Sequence, residues 1–112
     1  MSTIEVKITY PNKNVYEGVA HYDTKKKRYV ITGDGKLEVH DKGTFKGWFE
    51  NGKINGKGKF MSKWKGTYEG YFKDGKMEGK GEYRYSNGGR LEIEWLDNKP
   101  HGSGYYHHPS KK

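Results

Sequence analysis

Polar and apolar positions alternate along this chain in short runs, with a period of two rather than 3.6. Ile4-Glu-Val-Lys-Ile-Thr-Tyr10, Tyr68-Glu-Gly-Tyr-Phe72 and Gly79-Lys-Gly-Glu-Tyr83 all place every second residue on one side of an extended strand. Between such runs lie Asn51-Gly52 and Asp74-Gly75. Both are strong hairpin signals, because the two central residues of a type I′ turn need positive φ. Further turns are predicted at Pro11-Asn12, Asp41-Lys42-Gly43, Lys65-Gly66 and Asn87-Gly88-Gly89. The expected fold is all-β: an elongated, twisted antiparallel sheet of consecutive hairpins with about 8–9 strands, and no helix.

The hairpins recur in phase. A Gly-x-Gly returns every 23 residues, at Gly33/Gly35, Gly56/Gly58, Gly79/Gly81 and Gly102/Gly104, with no insertion between them. Laying 45–67 over 68–90 aligns Gly47 with Gly70, Phe49 with Phe72 and Gly66 with Gly89. Self-similarity at a fixed step is the signature of a repeat architecture. The chain reads as one domain over 1–112, with a capping strand at 1–15, repeat units at 16–44, 45–67, 68–90 and 91–108, and a tail at 109–112 whose Pro109 and lysines end the sheet. Glycine pairs leave bare backbone on which a neighbouring ring can lie, and Phe45, Phe49, Tyr68, Phe72 and Trp95 are the expected covering rings. The first unit departs from the pattern: Tyr16-Glu17-Gly18 lies further ahead of its glycine pair, so its hairpin is longer, with Lys25, Lys26, Lys27 and Arg28 at the tip.

Composition changes this picture in two ways. Only 30% of residues are hydrophobic and half of these are aromatic, which favours a thin core of stacked rings over a thick aliphatic one. The net charge is +8, mostly from lysine, which points to an acidic partner, while lysine is also a common guard of exposed strand edges. There is no cysteine, hence no disulfide, thiolate nucleophile or cysteine-based zinc site. No apolar run reaches the length of a signal peptide core or a membrane span, and a cytoplasmic location is the expectation.

The string Tyr68-Glu-Gly-Tyr-Phe-Lys-Asp-Gly-Lys-Met-Glu-Gly-Lys-Gly-Glu-Tyr83 resembles a MORN repeat, and Phe45 to Phe60 resembles it equally well. The resemblance spans 16–108, closely in the two central units and loosely in the flanking ones. It implies a ribbon of hairpins used as an assembly or protein-binding module, as in axonemal radial spokes, junctional membrane complexes and parasite cytoskeletons. It implies no enzyme, since the kinase and methyltransferase segments that accompany some such repeats have no counterpart here.

Positions two and four of each unit face away from the packed side, and position four is Trp48, then Tyr71, then Glu94. Two large aromatics in register on a nominally polar face form a candidate contact stripe, since Trp and Tyr are frequent interface anchors. They could also serve only to cover glycine from the second face. Two lysine rows share the repeat phase: Lys53, Lys76 and Lys99 in one, Lys57 and Lys80 in the other. Either row would suit an acidic surface, and either would also suit solvent. Glu5, Glu17, Asp23 and Asp34 concentrate toward the amino end, which predicts a charge gradient along the ribbon. His101, His107 and His108 lack a partner at zinc spacing, so neither a metal nor any other cofactor is expected. Glu92 and Glu94 are read as a polar edge, and no catalytic constellation is visible.

The leading expectation is therefore a non-enzymatic scaffold or protein-binding module, part of a larger cytoplasmic, cytoskeletal or ciliary assembly, with an acidic partner such as a tubulin-based structure. The alternatives are binding to anionic membrane lipids through the lysine rows, and binding of single-stranded nucleic acid on Tyr and Trp platforms. The latter lacks a recognisable motif, and no small-molecule substrate is implied.

Overall fold

A computed structural model of the chain describes residues 3–109. The expected tail is thus described only at Pro109, and Lys111 and Lys112 lie outside the described residues. Nine strands follow one another: β1 (Thr3–Thr9), β2 (Val15–Asp23), β3 (Arg28–Val39), β4 (Gly43–Glu50), β5 (Lys53–Ser62), β6 (Gly66–Lys73), β7 (Lys76–Arg84), β8 (Arg90–Leu96) and β9 (Lys99–His107). Their order in space is their order in sequence, with every pair antiparallel, so the fold is one open meander. The chain extends 54 × 26 × 20 Å, and its radius of gyration of 15.9 Å exceeds the roughly 13 Å of a globular chain this long.

The turn chemistry follows the residues predicted for it. Asn51 and Gly52 take φ of 48° and 86°, and Asp74 and Gly75 take 49° and 84°. A further such turn lies at Asp97 and Asn98 (49° and 69°), without a glycine to announce it. The ladder between neighbouring strands continues into these turns. Gly52 N–H donates to the Ile31 carbonyl at 3.0 Å, Gly75 N–H to Ile54 at 2.9 Å, and Asn98 N–H to Met77 at 3.1 Å. One residue earlier in each turn, the N–H of Asn51, Asp74 and Asp97 donates to a side chain, respectively Thr32 Oγ1, Asn55 Oδ1 and Glu78 Oε2. These three acceptors immediately precede the first glycine of successive pairs, so each unit ties its turn to the unit before it.

The two glycines of a pair do different work, which corrects the expectation of a common platform. Gly56, Gly79 and Gly102 adopt φ of 79°, 81° and 76°, with room for a Cβ at each (open at Gly56 and Gly102, in ordinary contact with Tyr71 Cβ at 3.8 Å at Gly79), and they lie where β5, β7 and β9 slip register against β4, β6 and β8. They are bulge residues, chosen for a left-handed backbone. The second glycines join a row of directly paired residues, Gly18, Gly35, Gly47, Gly58, Gly70 and Gly81, crossing β2 to β7 and ending at Ile93. Here bare backbone is required. A Cβ at Gly70 would lie 2.6 Å from the Tyr68 hydroxyl oxygen, and one at Gly58 2.6 Å from Ile54 Cδ1.

The covering side chains are also partly different from those expected. Tyr16 lies over Gly18 and Gly35, Ile54 over Gly47 and Gly58, and Tyr68 over Gly70 and Gly81. The tyrosine hydroxyls donate to the carbonyls of Val19 (2.8 Å) and Tyr71 (3.0 Å). Burial makes ionisation of both phenols unfavourable, pushing each up to about 12. Phe45, Phe49 and Phe72 stack on rings instead: Phe45 stands opposite Leu37 and Phe60, while Phe49 and Phe72 stand opposite Gly33 and Gly56, one row beyond the directly paired glycines. Phe49 meets Tyr16 edge-on at 5.2 Å, and Phe45, Phe72, Tyr68 and Trp95 form a continuous chain with centroids 5.1–5.8 Å apart. Trp95 donates from Nε1 to the Gly81 carbonyl at 3.3 Å. The buried core is Tyr16, Phe49, Ile54, Tyr68, Phe72 and Trp95, all on one face.

Candidate functional site: the polar face of the ribbon

One face carries the aromatic core, which leaves the other to charged and polar residues at the alternate positions of every strand. The rows on this face can be read from the register. A central row runs Lys36, Lys46, Lys59, Glu69, Glu82, Glu92 across β3 to β8, each residue directly opposite the next. A second row, beyond the glycines, contains Asp34 opposite Trp48, Lys57 opposite Tyr71, and Lys80 opposite Glu94. A third, on the other flank, contains Glu38 on β3 and the facing pair Arg84 and Arg90 on β7 and β8.

Trp48 and Tyr71 stand where the alternation placed them, 45% and 49% exposed. They lie two strands apart, roughly 10 Å at ordinary strand spacing, with Lys57 on the strand between. Trp48 is held upright by its indole N–H, which donates to Glu50 Oε1 at 2.8 Å. Lys57 and Lys80 belong to this face. Lys53, Lys76 and Lys99 do not: each is the first residue of its strand, so they line the turn-bearing long edge instead. There Lys76 pairs with Asp97 at 3.8 Å.

Lys25, Lys26 and Lys27 form the long β2–β3 hairpin tip, remote from the face, while Arg28 already opens β3 opposite Asp23. Asp23 Oδ1 accepts the Lys25 and Lys26 N–H groups at 2.9 Å, and these contacts hold its carboxyl below the usual value. The tip is thus a built turn, and its four cations radiate into solvent.

The charge gradient predicted toward the amino end is replaced on this face by a different one. In the central row basic residues occupy β3 to β5 and acidic ones β6 to β8, because sheet register, not sequence proximity, groups them, while the two flanking rows mix the signs. Glu82 is met by Arg84 Nε at 2.7 Å and Arg90 Nη1 at 3.1 Å, and Glu92 by His107. Glu92 thus closes the acidic row on β8, one strand in from the sheet edge. A shallow recess of 550 Å³ opens over this half, walled by Tyr71 and Tyr105 with Glu69, Glu92 and Glu94 on its floor. His101 lies opposite Glu94, apart from His107, while His108 rests against Tyr106. Among the described residues no three His, Cys, Asp or Glu side chains converge as metal ligands.

The two most exposed aromatics were not singled out by the sequence reading as contact residues. Tyr105 is 76% exposed beside the acidic row, and Trp64 is 73% exposed in the β5–β6 turn, where Lys63 Nζ sits 5.1 Å above its ring. The Lys63-Trp64-Lys65 string was the available signal for the latter; Tyr105 carries none beyond its alternation with Tyr106. Among the described residues there is no helix, and so none long and apolar enough to cross a membrane.

No curated protein matches the chain at a significant level. The family model of the MORN repeat matches three consecutive segments, residues 43–67, 68–90 and 94–111, more than half of the chain. MORN repeats are non-catalytic units that commonly mediate interactions with proteins or membranes. With hairpin units in one phase, an aromatic chain on one face and three matched segments, the protein belongs to the MORN-repeat family.

Proposed function

We propose that this chain is a non-enzymatic binding ribbon, a structural component of a larger cytoplasmic assembly of cytoskeletal or ciliary kind, and that it docks an acidic partner protein on its polar face. One observation carries the reading: Trp48 and Tyr71 stand half-exposed two strands apart, with Lys57 on the strand between them, on the face that the core does not use. Large aromatics with few packing obligations, flanked by charge, have the character of interface anchors. Affinity capture with lysine cross-linking tests this. The Trp48→Ala/Tyr71→Ala variant should melt within about 1 kcal/mol of the parent, since neither ring is in the core, yet lose its captured partner. Undiminished capture by a folded double variant refutes the reading.

A second reading, association with anionic membranes, is favoured by Trp64, which projects between Lys63 and Lys65 as interfacial tryptophans do. Flotation on vesicles with and without acidic lipid tests it, and Trp64→Ser should abolish flotation. Binding that ignores both lipid charge and this substitution excludes it.

A further inference from the structure

We propose that the polar face takes a second copy of this chain, with the three lysines of each central row lying on the three glutamates of the other. The two copies are related by a two-fold axis that runs along the strands between β5 and β6. This rests on the reading of the polar face as a binding surface and gives that face an occupant other than the acidic protein, one recognised by the order of charges along the central row and not by net charge.

The argument is the antisymmetry of the rows. An isologous interface must be complementary to itself under a two-fold rotation. Rotation about this axis lays β5 on β6, β4 on β7 and β3 on β8 of the other copy. In the central row it sets Lys59 against Glu69, Lys46 against Glu82 and Lys36 against Glu92, three opposite-charge meetings out of three. In the second row it sets Trp48 against Lys80 and Lys57 against Tyr71, a cation facing a ring in both cases. On the third it sets Glu38 against Arg90. Asp34 against Glu94 is the like-sign meeting in this scheme, and it lies at the rim.

The isolated chain gives a second reason. Like charges directly opposite on neighbouring strands repel, and the central row places three lysines and then three glutamates in that relation. Among the described residues, Lys46, Lys59 and Glu69 have no opposite charge within 4.0 Å. Pairing with a second copy supplies each of them with one. Five strand spacings cover roughly 24 Å, so each copy buries on the order of 500 Å², less than a standard interface. The pair is therefore weak and strongly salt-dependent.

Sedimentation of the full chain, at concentrations up to about 0.5 mM to match an interface of this size, is the primary test. We expect reversible dimerisation at low salt, weakened about tenfold or more when exposed charges are screened at high salt. Lys46→Glu/Lys59→Glu and Glu69→Lys/Glu82→Lys should each be monomeric, and mixing them should restore a dimer. Single cysteines give an arm that makes no demand on folding, because the chain has none of its own. Upon oxidation, K46C mixed with E82C should yield at least fivefold more mixed disulfide than either alone yields of its own dimer. A chain monomeric across the whole range, or cysteines that cross-link without preference, overturns the proposal. If the chain is monomeric but Trp48→Ala/Tyr71→Ala still loses a captured protein, the binding face stands and only the second copy falls.

Discussion

The glycine row makes a sharp demand on one position. Gly81 lies in extended backbone, so alanine there meets no conformational obstacle, yet a Cβ would fall inside the van der Waals envelope of the Tyr68 ring. That ring has nowhere to go. It is fully buried, its hydroxyl donates to the Tyr71 carbonyl at 3.0 Å, and it is held edge-on by Phe72 at 5.1 Å and Trp95 at 5.4 Å. Overpacking a filled site costs about 1–3 kcal/mol, and pulling the phenol from its acceptor costs about 1 kcal/mol more. Gly81→Ala should therefore destabilise by about 2–4 kcal/mol, roughly 10–20 °C in Tm for a chain of this size. Gly56→Ala is the control: there the space is open and φ is +79°, so the cost is that of a left-handed alanine, about 1–2 kcal/mol, and asparagine should recover much of it.

Denaturant titration of both variants, alone and with Tyr68→Leu, separates the two causes. In the Tyr68→Leu background the Gly81→Ala penalty should fall to about 1 kcal/mol or less, because the clashing ring is gone, and this coupling is the signature of contact. The Gly56→Ala penalty should be the same in both backgrounds. Equal Gly81→Ala costs with and without the tyrosine ring would refute the ring-on-backbone account of this fold.

The stitching of turn to preceding unit predicts that Asn55→Ala costs about 1 kcal/mol and exposes the Asp74 amide to hydrogen exchange, while the amide of Phe72 stays protected. Removing the Phe49 ring, 1% exposed and edge-on to Tyr16, should cost about 3–5 kcal/mol in denaturant unfolding. Alkaline pH acts through Tyr16 and Tyr68. Their folded values are raised to about 12 against 10 unfolded, so their contribution is intact below pH 10 and is lost as pH rises from 10 through 12. Melting followed across this window should show a steepening loss, accompanied in the phenolate absorbance by tyrosines that ionise late, and Tyr68→Phe should weaken both effects.

Much of the fold was legible because it is local. Alternation, Asn-Gly and Asp-Gly turns and a constant step fix hairpins without any long-range information, and the long first hairpin followed from the displaced Tyr16-Glu17-Gly18. What sequence could not separate was the two glycines of a pair. Both are glycine, but Gly56 answers a bulge and Gly58 answers the Ile54 side chain, and the difference exists only once β4 and β5 are in register. For the same reason Ile54, an aliphatic, was not recognisable as the cover of one glycine pair where tyrosine covers the others. On the polar face, Trp48 and Tyr71 could be assigned from parity alone. The row of Lys36, Lys46 and Lys59 could not, because Lys46 is out of phase with the other two and only register sets it between them.

That difference in visibility bears on what the repeat is for. Positions that keep the 23-residue phase, the glycines, rings and turn acceptors, are the ones that hold unit to unit. A purely periodic chain would repeat the same two central residues in every unit, and could not carry one sign over three successive strands and the other sign over the next three. In this chain the central position reads lysine in the first three strands of the row and glutamate in the next three, a break in the period confined to the face that plays no part in stacking the units. Stability of the ribbon does not require that break: Lys36 leans on Glu17 and Glu38, and Glu82 on two arginines, but Lys46 stands directly opposite Lys59 with no carboxylate among the described residues to offset the repulsion. A surface arranged at a cost to the monomer is accounted for by a state in which the cost is reversed, and a two-fold pairing that sets each lysine of the row on a glutamate is such a state.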